Sequence, residues 1–367
     1  MILRRYIYRE ITYRLVGMTF LLMILFGTKK LLAFLSDAAT GRIPAGFVLQ
    51  LFSLRMVSML TEGLPFILFL AIILTFARMN HDNELSVMAA SGIGKKSQLN
   101  IVLRYCFGFS LFVFLFAFFI GPWAELRLAE SKRMAWQEAN FSVLAAGKFK
   151  EFDRHNVVYV ESLSDDKKHM RDVFLQITGD DGLSILKSEK ARFEIDSTTG
   201  NRFIKFSKGV RYRGNPGELD YQITEFDEYS ALIDVPEEIG SINDPGTFNT
   251  LKLLRTGGKD AQAELQWRIS AIIISVLLSV LAVLLNQYPF GQKPFTLLIF
   301  GILIYFTYSN MLGISRSLME AGLLAPVLGL WWVHVLLFLV IVFIFNYTEL
   351  VQKLKKGKEI QYLPANK

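Results

Sequence analysis

Six long apolar runs constrain what this chain can fold into more than any other feature of its sequence. They cover about residues 11–34, 53–77, 99–122, 267–287, 295–314 and 326–347. Each run is close to the roughly 20 residues that a helix needs to cross about 30 Å of hydrocarbon. Because lipid cannot satisfy backbone hydrogen bonds, a segment inside it has to be helical or part of a closed barrel. The sequence therefore predicts an integral membrane protein with six transmembrane helices.

The composition supports this class and argues against a nucleic-acid partner. Hydrophobic residues make up 52% of the chain, which includes 31 phenylalanines, more than a soluble core requires. The formal net charge is +7, but the basic residues lie at the ends of the apolar runs rather than in one patch with interleaved aromatic residues. The first run is too long for a cleaved signal peptide, so we expect it to be retained.

The distribution of basic residues predicts the orientation in the membrane. Six crossings place both termini on one side, and that side carries most of the basic residues: Arg4, Arg5, Arg9, Arg78, Lys95, Lys96, Lys293, Lys353, Lys355, Lys356 and Lys358. The short loops of the opposite side hold little beyond Lys29, Lys30, Arg42 and Arg316. Since basic loops stay in the cytoplasm, we expect both termini, and a basic tail at 351–367, to be cytoplasmic.

A polar block separates the third run from the fourth, and its pattern is that of β-strands. We assign residues 1–124 to the first three spans, 125–266 to an outside domain and 267–350 to the last three spans. Stretches such as VVYVESL and RFIKFSKGVRY alternate or are rich in β-branched and aromatic residues, and turns such as GDDG and STTG separate them. The fold class expected is therefore a six-helix membrane protein with an inserted all-β, jelly-roll-like domain.

The stretch HDNELSVMAASGIGKK, between the second and third runs, has the pattern of a short amphipathic helix at about 82–92. Asp82 is a possible cap, and Glu84 lies at the start. One face of the helix would hold Leu85, Met88, Ala89 and Gly92. Two interpretations stay open: a connecting loop, or a coupling helix that docks on a soluble motor, with Glu84 pairing with an arginine of that motor.

Nothing in the chain predicts a motor or an enzyme. No stretch matches GxxxxGK followed by Ser or Thr, and GIGKKS, the nearest, lacks the upstream glycine. The four histidines, His81, His155, His169 and His334, form no HExxH motif, and Cys106 has no set of partners. We therefore expect no catalytic residues, no metal and no cofactor bound by this chain, so that any ATP and Mg would be used by a separate ATPase.

Five landmarks, in order along nearly the whole chain, resemble one known family. They are RRYIYREI, TGRIPAGFVLQL, DNELSVMAASG, GPWAE and ELQWRIS. Together they are similar to the LptF/LptG family of lipopolysaccharide export permeases, with the LptF branch the closer one. The stretch AVLLNQYPFGQKP departs from the family pattern, so no detail of that loop is transferred.

The resemblance implies a function and a set of partners. It implies an inner-membrane permease that extracts lipopolysaccharide from the outer leaflet and passes it to a periplasmic bridge. It further implies a heterodimer with an LptG-like sister permease, an LptB-like cytoplasmic ATPase dimer and an LptA/LptC-like jelly-roll bridge protein. In this family the acid of the ELSVMAASG helix contacts the ATPase, and that residue is Glu84 here.

Lipid-contacting residues follow from this expectation. Lys29 and Lys30, at the outer end of the first run, and Arg316, at the end of the fifth, are candidates for phosphate contact; the alternative is that they simply extend to the membrane interface. The resemblance makes the first and fifth spans a gate, so an acyl cavity lined by Leu22, Phe26, Tyr305, Tyr308 and Leu312 is expected; ordinary packing is the alternative. In the β domain, Val158 and Val160 are candidates for a lipid slot or for plain core.

Three other classes of protein have to be distinguished from this one. A hydrolase lacks a suitable residue set, as described above. A secondary transporter usually keeps ionisable residues near mid-membrane, whereas His334 is nearly alone in the last three runs. An ATP-driven permease for another lipid or for lipoproteins remains an alternative, and the number of spans distinguishes it, because the lipoprotein-release type generally has four.

Overall fold

The computed structural model describes residues 2–143, 147–153, 156–164, 169–179, 182–195, 202–214, 221–232, 242–286 and 294–361. They form two compact units. The helical unit falls within Met1–Leu32, Phe52–Leu128 and Ile242–Lys367, and the sheet unit within Ala33–Leu51 and Ala129–Ser241. Lys293 and residues 362–367 of the expected tail lie outside the described residues.

The helices follow the apolar runs but extend beyond them. Their bounds are α1 Ile2–Ala39, α2 Val48–His81, α3 Glu84–Ala90, α4 Lys95–Leu115, α5 Gly121–Val143, α6 Thr250–Thr256, α7 Gly258–Leu285, α8 Pro294–Glu320 and α9 Trp331–Gln361. A π-helical stretch, Phe116–Ile120, joins α4 to α5, and 3-10 turns occupy Ala45–Phe47 and Pro245–Thr247.

Five helical segments of the described residues are long and apolar enough to cross a membrane. They are Ile2–Ala39, Ala45–His81, Lys95–Trp136, Gly258–Leu285 and Phe295–Glu320. The sixth expected span corresponds to the shorter apolar stretch Trp331–Tyr347 of α9. This stretch is shorter than the expected span because the sixth apolar run begins at residue 326, in the connection before α9, so only part of the run is helical.

The core of the helical unit is built on α2 and α7. Phe69 and Phe76 of α2 are almost fully buried, and α1 adds Ile7 and Ile11 to the same cluster. At one end, the side-chain amide of Asn80 donates to the carbonyl of Asn286 over 3.3 Å, which joins the C-terminal ends of α2 and α7. We call this the α3 end of the unit. The opposite end, where α7 begins and α8 stops, is the α6 end.

The sheet unit holds one antiparallel sheet of six described strands. The bounds are β1 Lys148–Asp153, β2 Asn156–Leu163, β3 His169–Gly179, β4 Gly182–Ile195, β5 Arg202–Gly214 and β6 Gln222–Leu232. The strands lie in sequence order, each pairing with the next. The alternating sequence pattern thus corresponds to an antiparallel sheet. The described strands follow each other as a meander, however, and not in the Greek-key order of a two-sheet jelly roll.

The regular pairing of this sheet is interrupted along one row that crosses five strands. The row consists of Glu161, Asp172, Glu189, Lys208 and Asp227, all exposed. Asp172 and Lys208 take left-handed backbone angles, with φ of 48° and 53°. Inward side chains are spaced by three residues instead of two across the row, as in Met170 and Val173 of β3. The pairing register is the same on both sides of the row, so the inward and outward positions exchange at the same level in all five strands.

The boundaries of the polar block differ from the sequence assignment. The third helix does not stop near residue 122, because α5 continues to Val143, and the described strands occupy only Lys148–Leu232. After that strand region the chain is helical again from Thr250. The continuation of α5 has a physical reason: it buries small residues such as Ala135 and Ala139 at helical spacing, which a search for apolar runs does not detect.

Candidate functional site

The link between α2 and α4 contains the expected helix, with a different start. The structure places the N-cap at Asn83, which has a left-handed backbone (φ 59°) and makes no side-chain capping bond. Asp82 is not the cap, because its carboxylate lies 3.5 Å from Arg78 and 3.3 Å from His81. The helix ends at Ala90, and Gly92 follows with a φ of 87°.

The predicted docking face of α3 is divided between two surroundings. Leu85 and Met88 are buried in the core of the helical unit, whereas Ala89 and Gly92 are exposed. Val87 is also exposed, with 65% of its surface accessible. The two large residues therefore fix α3 to its own unit, and the surface left for a partner is small and shallow.

Glu84 is held by a charged network that joins three helices. The Tyr6 hydroxyl donates to Glu84 Oε2 over 2.8 Å, and Arg78 Nη2 lies 3.2 Å from Glu84 Oε1. The same Arg78 Nη2 donates to the Tyr6 oxygen over 2.8 Å and lies 3.4 Å from Glu10 Oε2. Arg14 completes the set by an ion pair of 2.6 Å with Glu10. We call these residues, with Asp82, the Arg78 network.

This network ties α3 to α1 and α2 before any partner is present. The Glu84 side chain is 27% exposed and that of Arg78 is 36% exposed. Carboxylates at this exposure can exchange one cation for another at modest cost. Glu84 thus holds α3 in place while part of its side chain stays accessible.

The three predicted phosphate-contacting cations lie in different surroundings. Lys29 is exposed and Lys30 is half-buried on α1, and neither side chain forms a hydrogen bond or ion pair with another described residue. Arg316 is already engaged: its Nη2 lies 3.0 Å from Glu264 and its Nε 2.7 Å from Glu320. Its guanidinium also lies 5.3 Å from the centre of the Trp267 ring.

A cavity of about 240 Å³ opens within the helical unit beside Arg316. Its wall includes Glu62, Glu125, Glu264, Trp267, Arg268, Tyr305, Leu312 and Arg316. Of the predicted acyl-cavity residues it brings together Tyr305 and Leu312. It does not include Leu22 or Phe26, which lie on α1, partly exposed and exposed respectively.

Tyr308 lies outside that cavity wall, because it takes part in a buried hydrogen-bond chain. Its hydroxyl bonds to His334 Nδ1, and His334 Nε2 lies 2.8 Å from the Ser270 hydroxyl. Both ring nitrogens of His334 are therefore occupied. These hydrogen bonds join α7, α8 and α9. His334, the ionisable residue noted in the last three apolar runs, therefore has a structural partner on each side of its ring.

Arg268 was missed as a site residue although it lies in the ELQWRIS landmark. Its side chain is 3% exposed, and its Nε donates to Glu264 over 2.8 Å. The remaining nitrogens reach the Thr250 hydroxyl and the backbone carbonyls of Pro245, Gly246 and Phe248 at 3.0 to 3.3 Å. We call Glu264, Arg268, Arg316 and Glu320 the Arg268 network. The Glu264–Arg268 spacing of four residues at the start of an apolar run was the available signal.

Val158 and Val160 lie on the apolar face of the sheet, 4% and 1% exposed. They pack with Met170, Val173, Leu186, Ala191 and Phe206. Their burial fits both a core position and a slot for acyl chains, and the lipid role stays a prediction.

Comparison with known proteins gives one consistent result. A family model described as "Lipopolysaccharide export system permease LptF/LptG" matches residues 5–347. The "Lipopolysaccharide export system permease protein LptF" of Escherichia coli (strain K12) is 26% identical over 355 residues, which cover 96% of this chain and 96% of that protein. Proteins of the same name from Escherichia coli O157:H7 and Shigella flexneri match to the same extent. The similarity therefore extends through both units.

Proposed function

Because this chain belongs to the LptF/LptG family of lipopolysaccharide export permeases, we propose that it is an LptF-type permease subunit of a lipopolysaccharide exporter. The observation that carries the proposal is the match over residues 5–347, which includes the helical unit, the sheet unit and the α3 segment together. The chain serves as a membrane subunit without catalytic residues. ATP and Mg are used by a separate cytoplasmic ATPase.

The proposed topology has six spans, with the apolar part of α9 as the sixth. Both termini and the α3 end are cytoplasmic, in the inner membrane of a Gram-negative bacterium, and the sheet unit is periplasmic. The basic residues Arg4, Arg5 and Arg9 at the start of α1 support this orientation. Cysteine labelling tests it: a cysteine placed at Val87, which is 65% exposed on α3, in a Cys106→Ser background is expected to react only from the cytoplasmic side.

The proposed partners are a sister six-span permease, an ATPase dimer and a periplasmic bridge protein. The ATPase presses on α3, and the Arg78 network passes the displacement to α1 and α2. Two packed arrangements of these helices open and close a cavity to lipid. Lipid leaves the outer leaflet and moves along the sheet unit toward the bridge protein.

Within this mechanism the lipid contacts remain those of the sequence analysis. Lys29 and Lys30 have no competing protein partner among the described residues, which supports a role in phosphate binding. Arg316 would have to share its guanidinium between phosphate and two carboxylates. Leu22, Phe26, Tyr305 and Leu312 form the proposed acyl-contacting set, and Tyr308 acts through the packing of α8.

One experiment tests the whole proposal. The tagged chain is purified in mild detergent from its native membranes, and stoichiometric partners and bound lipid are identified by mass spectrometry. A second six-span protein, a soluble ATPase and a phosphorylated lipid are expected. The complex is then placed in vesicles containing lipopolysaccharide, and ATP is expected to drive its release to a soluble acceptor. Recovery of the chain alone, or release that does not depend on ATP, contradicts the proposal.

A further inference from the structure

The short helix α6 is held rigidly at the α6 end of the helical unit. Its N-cap is Asn249, whose side chain accepts a bond of 2.7 Å from the Lys252 amide. The Thr250 hydroxyl donates to the carbonyl of Phe118 over 2.8 Å, and Leu253 is buried. Arg268 fixes the preceding turn through its carbonyl contacts described above. The helix is therefore a fixed part of the unit.

The outward side of α6 combines apolar and basic side chains. Leu251 and Leu254 are each 59% exposed although the helix is well anchored. Lys252 and Arg255 lie beside them, and both line an open depression of about 290 Å³ with Asn249, Leu251 and Thr256. The Lys252 ammonium lies 3.6 Å from the centre of the Phe248 ring, so it is held at the surface without an acidic partner among the described residues.

The same surface continues onto the connection between α8 and α9. A Cβ atom at Gly322 would lie 3.6 Å from the Lys259 ammonium, which places that lysine against this connection. Leu323 and Val327, in the connection itself, are 78% and 89% exposed. The side chains of Arg255 and Lys259 form no hydrogen bond or ion pair with another described residue. Between residues 249 and 260 the only acidic residue is Asp260.

Large exposed aliphatic residues interleaved with unpaired cations form a surface that is complementary to the boundary of a lipid bilayer. The aliphatic side chains fit the region where acyl chains meet headgroups, and the cations fit anionic headgroups. A protein partner of acidic character would satisfy the cations but would leave four exposed aliphatic residues without an explanation.

We propose that α6 and the α8–α9 connection form a membrane-surface patch that binds anionic phospholipid headgroups at the edge of the helical unit. The patch holds the α6 end of the helical unit at a fixed depth in the membrane interface. This inference does not require the exported lipid or the ATPase. Placing the patch at the outer leaflet is the only part that rests on the proposed function.

The test uses the full-length chain with Cys106→Ser and a single new cysteine, Leu254→Cys, carrying an environment-sensitive nitrobenzoxadiazole probe. The labelled protein is reconstituted in nanodiscs of phosphatidylcholine alone, or of equal parts of phosphatidylcholine and phosphatidylglycerol. Bromine-labelled lipids serve as quenchers of the probe. Quenching is expected in both membranes and to be about twofold stronger in the anionic one, with the excess lost at high salt.

Two further variants connect the effect to the patch. Lys252→Gln, Arg255→Gln and Lys259→Gln together are expected to remove most of the excess quenching in anionic nanodiscs. The matched control changes three exposed lysines of the sheet unit, Lys187, Lys190 and Lys208, to Gln and is expected to leave it unchanged. A probe that is not quenched in either membrane overturns the proposal, because it then faces water or protein. Equal quenching in both membranes overturns the anionic-headgroup assignment. Neither result affects the test of the exporter, which measures partners and lipid release.

Discussion

The two charged networks of the helical unit use the same kind of residue in opposite ways. Arg78, at the α3 end, is 36% exposed and is surrounded by the carboxylates of Glu10, Asp82 and Glu84 at 3.2 to 3.5 Å. Its Nε has no hydrogen-bond partner among the described residues. Arg268, at the α6 end, is 3% exposed, and every one of its nitrogens has a partner. Arg78 therefore has several carboxylates within reach and one nitrogen without a bond, whereas all nitrogens of Arg268 are hydrogen-bonded.

The difference follows from the nature of the partners. The carboxylates of Glu10 on α1, Glu84 on α3 and Asp82 in the link before α3 can move apart or accept another cation. The backbone carbonyls of Pro245, Gly246 and Phe248, in contrast, belong to one short turn. A buried, fully satisfied arginine is costly to disturb, while a half-exposed one is not. The contacts at the α3 end can therefore rearrange at modest cost, whereas those at the α6 end form a fixed junction.

The largest effect is expected from Arg268→Ala. It removes five side-chain hydrogen bonds and leaves the carboxylate of Glu264 buried beside only Arg316, so about 3 to 5 kcal/mol of stability should be lost. Thermal unfolding in detergent and limited proteolysis of residues 245–257 measure the loss. Arg255→Ala, an exposed arginine on the adjacent helix, is the matched control and should stay near the parent. If the two variants unfold alike, Arg268 does not fix the junction.

The next effect concerns the exchangeable network and function. Glu84→Lys places a cation beside Arg78 and is expected to reduce ATPase recovery in co-purification by about tenfold, equivalent to about 1.4 kcal/mol. The chain should still insert and bind its sister permease. Glu84→Gln, which can still accept the Tyr6 bond, separates loss of charge from loss of helix position. Normal ATPase binding and lipid export by the lysine variant would remove Glu84 from the coupling contact.

A smaller change is expected from Tyr6→Phe, which keeps the ring and removes one hydroxyl. That hydroxyl donates to Glu84 and accepts from Arg78, so its loss should cost about 1 kcal/mol. Amide hydrogen exchange of α3 should become faster, while exchange at residues 245–250 should not change. An unchanged α3 would mean that Leu85 and Met88 alone hold the helix.

Salt should produce the smallest and most selective difference. At high ionic strength, exposed charge pairs are screened much more than buried ones. Exchange of the α3 amides is therefore expected to rise slightly with added potassium chloride, and that of the α6 amides to stay constant. Equal responses at both ends would show that the two networks do not differ in the way their exposure indicates.

Sequence reasoning found the elements of this molecule better than their contacts. Apolar length located the long helices, and the period of 3.6 residues located α3. That period cannot tell whether Leu85 and Met88 face a partner or their own core, because both surroundings favour large apolar side chains. Likewise, Arg316 at a helix end has the same sequence pattern whether its partner is phosphate or Glu264.

The contacts of Arg268 could not be predicted from the sequence for a different reason. Their acceptors are mainly backbone carbonyls of a turn that lies well before α7 in the sequence. Because every residue carries a backbone carbonyl, the residue types do not indicate which ones accept a bond. In the sheet, by contrast, the sequence pattern does not show at which residue the inward and outward side chains exchange positions. Uniform alternation assigns half of each interrupted strand to the wrong face.

That exchange of inward and outward positions limits how the sheet can vary in length. Each strand crosses the row from Glu161 to Asp227 with one added residue, and the register on both sides depends on all five strands having it. Deleting Asp172 alone would shift Met170 and Arg171 by one residue against β2 and β4, so their pairing beyond the row would be lost. A viable deletion therefore needs matching deletions in the adjacent strands, so this row is a place where insertions and deletions must be inherited as a set.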